Sequence, residues 1–164
     1  NGDEYVVRSF EFTSDIEKAI KDLNAQEPDG GGDYPEAVHK ALDDIVNNHQ
    51  WRKDSVKLCF MVLDAPPHSA SEINGINYDM TKNVMLMAEK GIRLIPLASS
   101  GVNTETEFLL RSWAVMTGGT YTFLTNHSGI GGDHLEPTIG EYEVEKLNDL
   151  LVRVISEFCG ISQK

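Results

Sequence analysis

The residues of this sequence that are best placed for chemistry are acidic, and they lie in two short segments. Segment 30–38 reads GGGDYPEAV and contains Asp33 and Glu36, and segment 62–68 reads VLDAPPH and contains Asp64. The apolar run 56–63 before Asp64 predicts a strand buried on both faces of a parallel sheet. Ligands of open α/β sheets bind at the carboxyl ends of the strands. Asp64 is therefore placed for chemistry more than for packing. It is followed by Ala65, two prolines and His68.

Each of these side chains also has a purely structural interpretation. Asp33 at the start of a helix, with Glu36 three residues later and Pro35 in the first turn, fits the pattern of a capping box. That role does not exclude cation binding, since a capping side chain can also face a site. Asp64 could simply accept a hydrogen bond from a loop amide, and His68 fits a hydrogen-bonding loop residue better than a ligand.

The apolar pattern predicts the elements that would position these residues. We expect a strand at 4–12, a helix that begins after Thr13-Ser14-Asp15, and a loop at 27–32. From residue 56 onward strands and helices alternate, which is typical of a parallel sheet covered by helices. The other predicted helices are 34–48, 78–90 with Gly91 as its C-cap, 104–116 and 144–158, and the other predicted strands are 56–63, 92–98 and 120–124.

A long glycine-rich loop at 125–141 contains a second group of candidate ligands. His127, Asp133, His134 and Glu136 lie close together in the sequence and could form a second cation site. Their spacing fits no defined metal motif. A loop of this length inside a compact domain is usually functional or mobile.

The sequence gives no support for catalysis. It has no Gly-x-Ser-x-Gly elbow for a serine nucleophile, and no pair of titratable groups converges with a nucleophile. The glycines at 30–32 follow a helix where a phosphate-binding loop requires a strand, and no Lys-Ser or Lys-Thr pair follows them. We therefore expect this protein not to be an enzyme.

Length and charge set further bounds. The 164 residues are enough for one domain, 1–164, with a single core. With 14 basic and 26 acidic residues the net charge is −12, which argues against nucleic-acid binding and is compatible with binding cations or basic partners. No apolar stretch approaches the length of a membrane span, so we expect no membrane insertion. Cys59 and Cys159 are expected to remain unpaired.

The loop GGGDYPEAV at the start of a helix, followed by an apolar strand that ends in DAPPH, resembles von Willebrand factor A domains of the microbial type. The pairing of the two motifs is also similar to the A-like domain of integrin β subunits. The resemblance extends from Tyr5 to about Phe158. It implies a Rossmann-like α/β fold, doubly wound, with a mostly parallel central sheet flanked by helices.

The resemblance also implies a metal-ion-dependent adhesion site at the carboxyl edge of the sheet. Asp64 matches the aspartate of the third metal-binding loop, and Asp33 or Glu36 matches the acidic ligand of the second loop. The expected ion is Mg²⁺, with Mn²⁺ or Ca²⁺ as alternatives. Such an ion takes oxygen ligands and keeps several waters, so a vacant position can accept a carboxylate from a partner.

The function implied is a binding module that engages a protein or peptide ligand through the cation. Loops 30–36, 64–77 and 99–104 would form the rim that contacts this ligand, with Tyr34, His68, Ser69 and Ser100 as candidate contacts. The alternative is a non-catalytic scaffold or regulatory domain of a larger complex, with a degenerate metal site. Such modules are often displayed outside the cell, although many microbial ones are cytoplasmic, so the compartment stays open.

One departure from the family is large. The first metal-binding loop of the family, Asp-x-Ser-x-Ser, is absent, and the chain matches the family from its third strand onward. In the family's strand order, a strand at 4–12 would lie about 14 Å, or three strand spacings, from strand 56–63. Because no hydrogen bond crosses that gap, we expect a strand, a helix and a further strand upstream of this sequence in the intact protein.

Overall fold

Strands and helices alternate along the second half of the computed structural model, which describes residues 5–27, 33–69, 80–125 and 145–161. In chain order the elements are α1 (Ile16–Asn24), α2 (Val38–Asn47), β1 (Lys57–Leu63), α3 (Met80–Glu89), β2 (Ile92–Ala98), α4 (Thr104–Thr117), β3 (Thr122–Phe123) and α5 (Leu147–Cys159). The described part of the chain is an α/β structure in which helices flank a three-stranded parallel sheet. This confirms the predicted α/β class, with a parallel sheet flanked by helices.

The central strand of this sheet is β2. It pairs with β1 along its whole length, from Lys57 opposite Ile92 to Leu63 opposite Ala98, and β3 pairs with its last two residues. Every β2 side chain except Arg93 is buried, as a continuous apolar run in a parallel sheet predicts. Since the strands are parallel, their carboxyl ends meet at one edge.

Helices α2, α3 and α4 pack on one face of the sheet. Their apolar side chains form the main core with alternate residues of β1 and β2. The members of this core are Val38, Leu42 and Val46 of α2, Val84 and Met87 of α3, Leu110 and Trp113 of α4, and Leu63, Ile92, Leu94 and Ala98 of the sheet, with Val102. On the opposite face Arg93 places its guanidinium 4.9 Å from the ring centre of Phe158 in α5.

Strand β1 is less buried than the sequence predicts. Residues 57–61 are half-buried, and Val62 is 68 % exposed, whereas Leu97, its partner in β2, is 4 % exposed. The prediction of burial on both faces is therefore wrong. The physical reason is that Val62 points to the face opposite the core that holds Leu63, and β1, an edge strand within the residues that the structure describes, has little to cover it there.

The strand predicted at 4–12 is also wrong for its described residues, 5–12, which form no strand. They pass the end of α2 instead. The Ser9 hydroxyl lies 2.6 Å from the Asp44 carboxylate, and the ring of Phe12 makes T-shaped contacts with the rings of His49 and Trp51. Without a strand to pair with, the segment is held by side chains rather than by a backbone ladder.

The predicted helices form, with shifted ends. Helix α1 starts as expected, with Asp15 as the N-cap accepting a hydrogen bond from the Lys18 amide at 3.0 Å. Helix α2 begins four residues later than predicted, and the strand predicted at 120–124 shrinks to two residues. Gly91 has a φ of +70° and ends α3 as predicted. Residues 78–79 and 144, the predicted starts of two helices, lie outside the described part of the chain.

Candidate functional site

Asp64 lies at the carboxyl edge of the sheet, directly after the last residue of β1, and it is exposed. The amide of Ser99 donates to the Leu63 carbonyl at 2.8 Å, and the amide of Leu124 donates to the Ala98 carbonyl at 2.8 Å. These bonds continue the sheet beyond its strands. As a result, Asp64 and Ser100 follow adjacent strand ends at the edge where α/β sheets bind their ligands.

The loop that contains Glu36 is hydrogen-bonded to the loop that follows Asp64. The Glu36 amide donates to the Pro66 carbonyl at 2.8 Å, and the His68 amide donates to the Glu36 carbonyl at 3.1 Å. This is a single parallel bridge between Glu36 and Pro67. It does not require an N–H at Pro67, which explains why the two prolines after Asp64 are compatible with it.

This bridge overturns the capping-box interpretation of Asp33 and Glu36. The N-cap of α2 is Ala37, and no side chain caps that end of the helix. The backbone of Glu36 pairs with the neighbouring loop, so the helix starts only at Val38. Asp33 instead places a carboxylate oxygen 3.4 Å from Nε2 of His68, an ion-pair distance when the histidine is protonated.

The loop that follows β2 is joined to both of the other rim loops at Gly101. The Tyr34 hydroxyl donates to the Gly101 carbonyl at 2.5 Å. A Cβ built on Gly101 would lie 1.6 Å from the Asp64 carbonyl oxygen, so the two backbones are in direct contact. The described parts of the three predicted rim loops are therefore adjacent, although residues 28–32 and 70–77 lie outside the description.

A buried histidine lies behind this site. His39, in the first turn of α2, is 6 % exposed, and its ring meets the ring of His68 edge-on, with centres 6.2 Å apart. Burial lowers the pKa of His39 below its usual value, and the positive charges of Lys40 and His68 lower it further. His39 is therefore neutral under conditions in which an exposed histidine begins to take up a proton.

The three candidate metal ligands, Asp64, Asp33 and Glu36, all have exposed side chains. Within the described residues, no group of three His, Cys, Asp or Glu side chains is close enough to hold a metal ion. A Mg²⁺ ion takes oxygen ligands and keeps several of its waters, so a site for it needs only one or two carboxylates from the protein. The second candidate group, His127, Asp133, His134 and Glu136, lies outside the described residues.

The sequence pattern does not predict a charged cluster that lies at the same edge. Glu107 of α4 is 3 % exposed and accepts hydrogen bonds from Arg111, whose guanidinium lies 4.3 Å from the ring centre of Tyr121. Burial, with the negative charge of Glu107, raises the pKa of Tyr121 to about 12. Glu107 and Tyr121 line a cavity of about 10 Å³, room for one water. The spacing of Glu107 and Arg111, four residues apart on a predicted helix, is the sequence feature that could have predicted their ion pair.

Comparison with known proteins places this chain in no family. No family model matches the chain. A search of curated proteins also finds no match. Separately, none of the helices within the described residues is long and apolar enough to cross a membrane.

Proposed function

We propose that this protein is a binding module of the von Willebrand factor A type, which engages a protein or peptide through a divalent cation. The observation that carries the proposal is the position of Asp64. Its exposed carboxylate lies at the carboxyl end of β1, with the Tyr34–Glu36 loop and the Ser99–Gly101 loop held beside it.

In this proposal Asp64 holds the cation directly or through water, and Asp33 or Glu36 contributes to its outer shell. Mg²⁺ is the expected ion, and Mn²⁺ or Ca²⁺ are alternatives. When bound, the ion supplies a positive position that can accept a carboxylate from the partner. The net charge of −12 makes such an ion useful, because an acidic partner is otherwise repelled.

A second candidate is a scaffold domain that binds no cation. The contact between Asp33 and His68 favours it, since this carboxylate already has a partner at 3.4 Å. In that case the three joined loops would serve as a rigid protein-binding surface, and Asp64 would be one of several polar contacts on it.

The test is isothermal titration calorimetry of Mg²⁺ and Mn²⁺ into the full-length protein, as the wild type and as the Asp64→Asn variant. Asp54→Asn is the matched control, because Asp54 is an exposed aspartate in the turn before the same strand. We expect saturable binding that weakens at least about tenfold in Asp64→Asn, or about 1.4 kcal/mol, and is unchanged in Asp54→Asn.

Equal affinities in the two variants would refute the role of Asp64. Absence of binding in the wild type would favour the scaffold. Where a cation binds, a short peptide containing aspartate should bind in its presence and not after chelation. A peptide affinity that is indifferent to chelation would contradict cation-dependent recognition.

A further inference from the structure

Gly101 occupies a position that only glycine can fill, and the reason is contact rather than backbone conformation. Its φ is not positive, unlike those of Gly91, Gly118 and Gly160. A Cβ at Gly101 would instead lie 1.6 Å from the carbonyl oxygen and 2.8 Å from the carbonyl carbon of Asp64. Any side chain here would have to displace the backbone of Asp64.

Tyr34 approaches the same glycine from the other loop. Its hydroxyl donates to the Gly101 carbonyl at 2.5 Å, and it would lie 3.0 Å from the added Cβ. The side chain is 62 % exposed, so apolar burial contributes little to its placement. The hydrogen bond therefore stands out as the interaction that ties Tyr34 to the loop after β2.

Asp64 is thus fixed on both sides of its Cα. On one side, the carbonyl of the preceding residue, Leu63, accepts a hydrogen bond from the Ser99 amide at 2.8 Å. On the other side, the carbonyl of Asp64 packs against Gly101. Ligand side chains bind metals best when surrounding contacts hold them in place, and losing a hydrogen bond made directly to a ligand typically lowers metal affinity by about 10- to 100-fold. Contacts that fix the backbone of a ligand residue act in the same direction.

We infer that Tyr34 and Gly101 are positioning residues for the candidate cation site, which hold the backbone of Asp64 in place without contacting the ion. The inference rests on the proposed function, since it assigns these residues to the same site. It also makes Tyr34 more than a rim contact, because its hydroxyl bonds the loop that contains Glu36 to the loop that follows β2.

The experiment compares Tyr34→Phe and Gly101→Ala with two matched controls. Tyr5→Phe removes the hydroxyl of another exposed tyrosine, whose ring contacts Arg8. Gly119→Ala creates a similar clash away from the site, because its Cβ would lie 1.9 Å from the Leu94 carbonyl oxygen. Each variant is measured for Mg²⁺ affinity by calorimetry, for thermal unfolding, and for backbone amide chemical shifts without metal.

We expect Tyr34→Phe to lower Mg²⁺ affinity about tenfold with little change in the unfolding temperature. Gly101→Ala and Gly119→Ala should both lower the unfolding temperature, but only Gly101→Ala should also lower the affinity. In metal-free protein, Tyr34→Phe should shift the amide signals of Ala65 and Val102, which flank the junction.

Wild-type affinity in Tyr34→Phe, or equal affinities in the two alanine variants, would overturn the inference. If Gly101→Ala does not fold, Tyr34→Phe decides. If the wild type binds no Mg²⁺, the proposed function fails, whereas the metal-free amide shifts still test the junction. Unchanged shifts in Tyr34→Phe would then refute the junction on its own.

Discussion

His39 shows how one buried side chain can make stability depend on pH. The folded protein holds its ring neutral, because burial and the nearby charges of Lys40 and His68 disfavour the proton. In the unfolded chain His39 takes up a proton near its ordinary pKa of 6.5. The unfolded state therefore binds more protons between the two pKa values, and acid favours it.

We expect the free energy of unfolding to be highest above pH 6.5 and to fall as the pH drops towards the lower pKa of folded His39. The slope from this one group is at most about 1.4 kcal/mol per pH unit. Urea unfolding from pH 8 to pH 5 measures it. His39→Gln should be less stable at pH 8 but should lose less on acidification. Parallel curves for both proteins would show that His39 does not cause the decline.

Helices α1 and α4 both carry several apolar side chains, yet they differ in how much of that apolar surface is covered. In α1 the side chains of Ile16, Ile20 and Leu23 are exposed, with Leu23 at 72 %. In α4, Leu110 is fully buried in the main core. Since the free energy of burial follows the apolar area removed from water, the two helices should contribute very differently to stability.

The same substitution in both helices tests this difference. Leu110→Ala should lower the free energy of unfolding by about 2–5 kcal/mol, because it leaves a cavity in the core. Leu23→Ala should change it by less than about 0.5 kcal/mol. Urea denaturation monitored by circular dichroism gives both values. A large loss in Leu23→Ala would mean that the apolar side of α1 is covered in solution.

The elements also show which features local sequence can predict. Strand 92–98 is confirmed at both ends, because its apolar run is buried on both faces and bounded by Gly91. The strand predicted at 4–12 is wrong because a strand needs a neighbour, and alternation alone does not supply one. The start of α2 is wrong because the backbone of Glu36 pairs with a distant loop.

The candidate site also contains one feature that local sequence predicts and one that it does not. The position of Asp64 at the end of a strand follows from the apolar run before it, so the sequence predicts it. The role of Gly101 depends on contact with Asp64 and Tyr34, which are far from it in sequence. A pattern read along the chain reports neighbours in sequence, whereas this requirement arises only when the loops meet.

On the scale of the whole molecule, net charge opposes self-association, whereas one edge of the sheet favours it. The charge of −12 at pH 7 keeps copies apart. Within the described residues β1 has no strand on its outer side, and Val62 is 68 % exposed. Exposed apolar edge strands are prone to pair with other chains. For the 164-residue chain, repulsion between copies should therefore weaken, and association increase, as the pH approaches its isoelectric point of about 4.7.

Sedimentation velocity at pH 7 and pH 5 should show self-association that rises in acid. Val62→Lys should suppress it, since a lysine on an edge strand opposes pairing. The matched control is Val115→Lys, because Val115 is 80 % exposed but lies on α4, away from any strand edge. Both variants add the same charge, so only a specific role of the β1 edge predicts different outcomes. Equal suppression by the two lysines would assign the association to net charge alone.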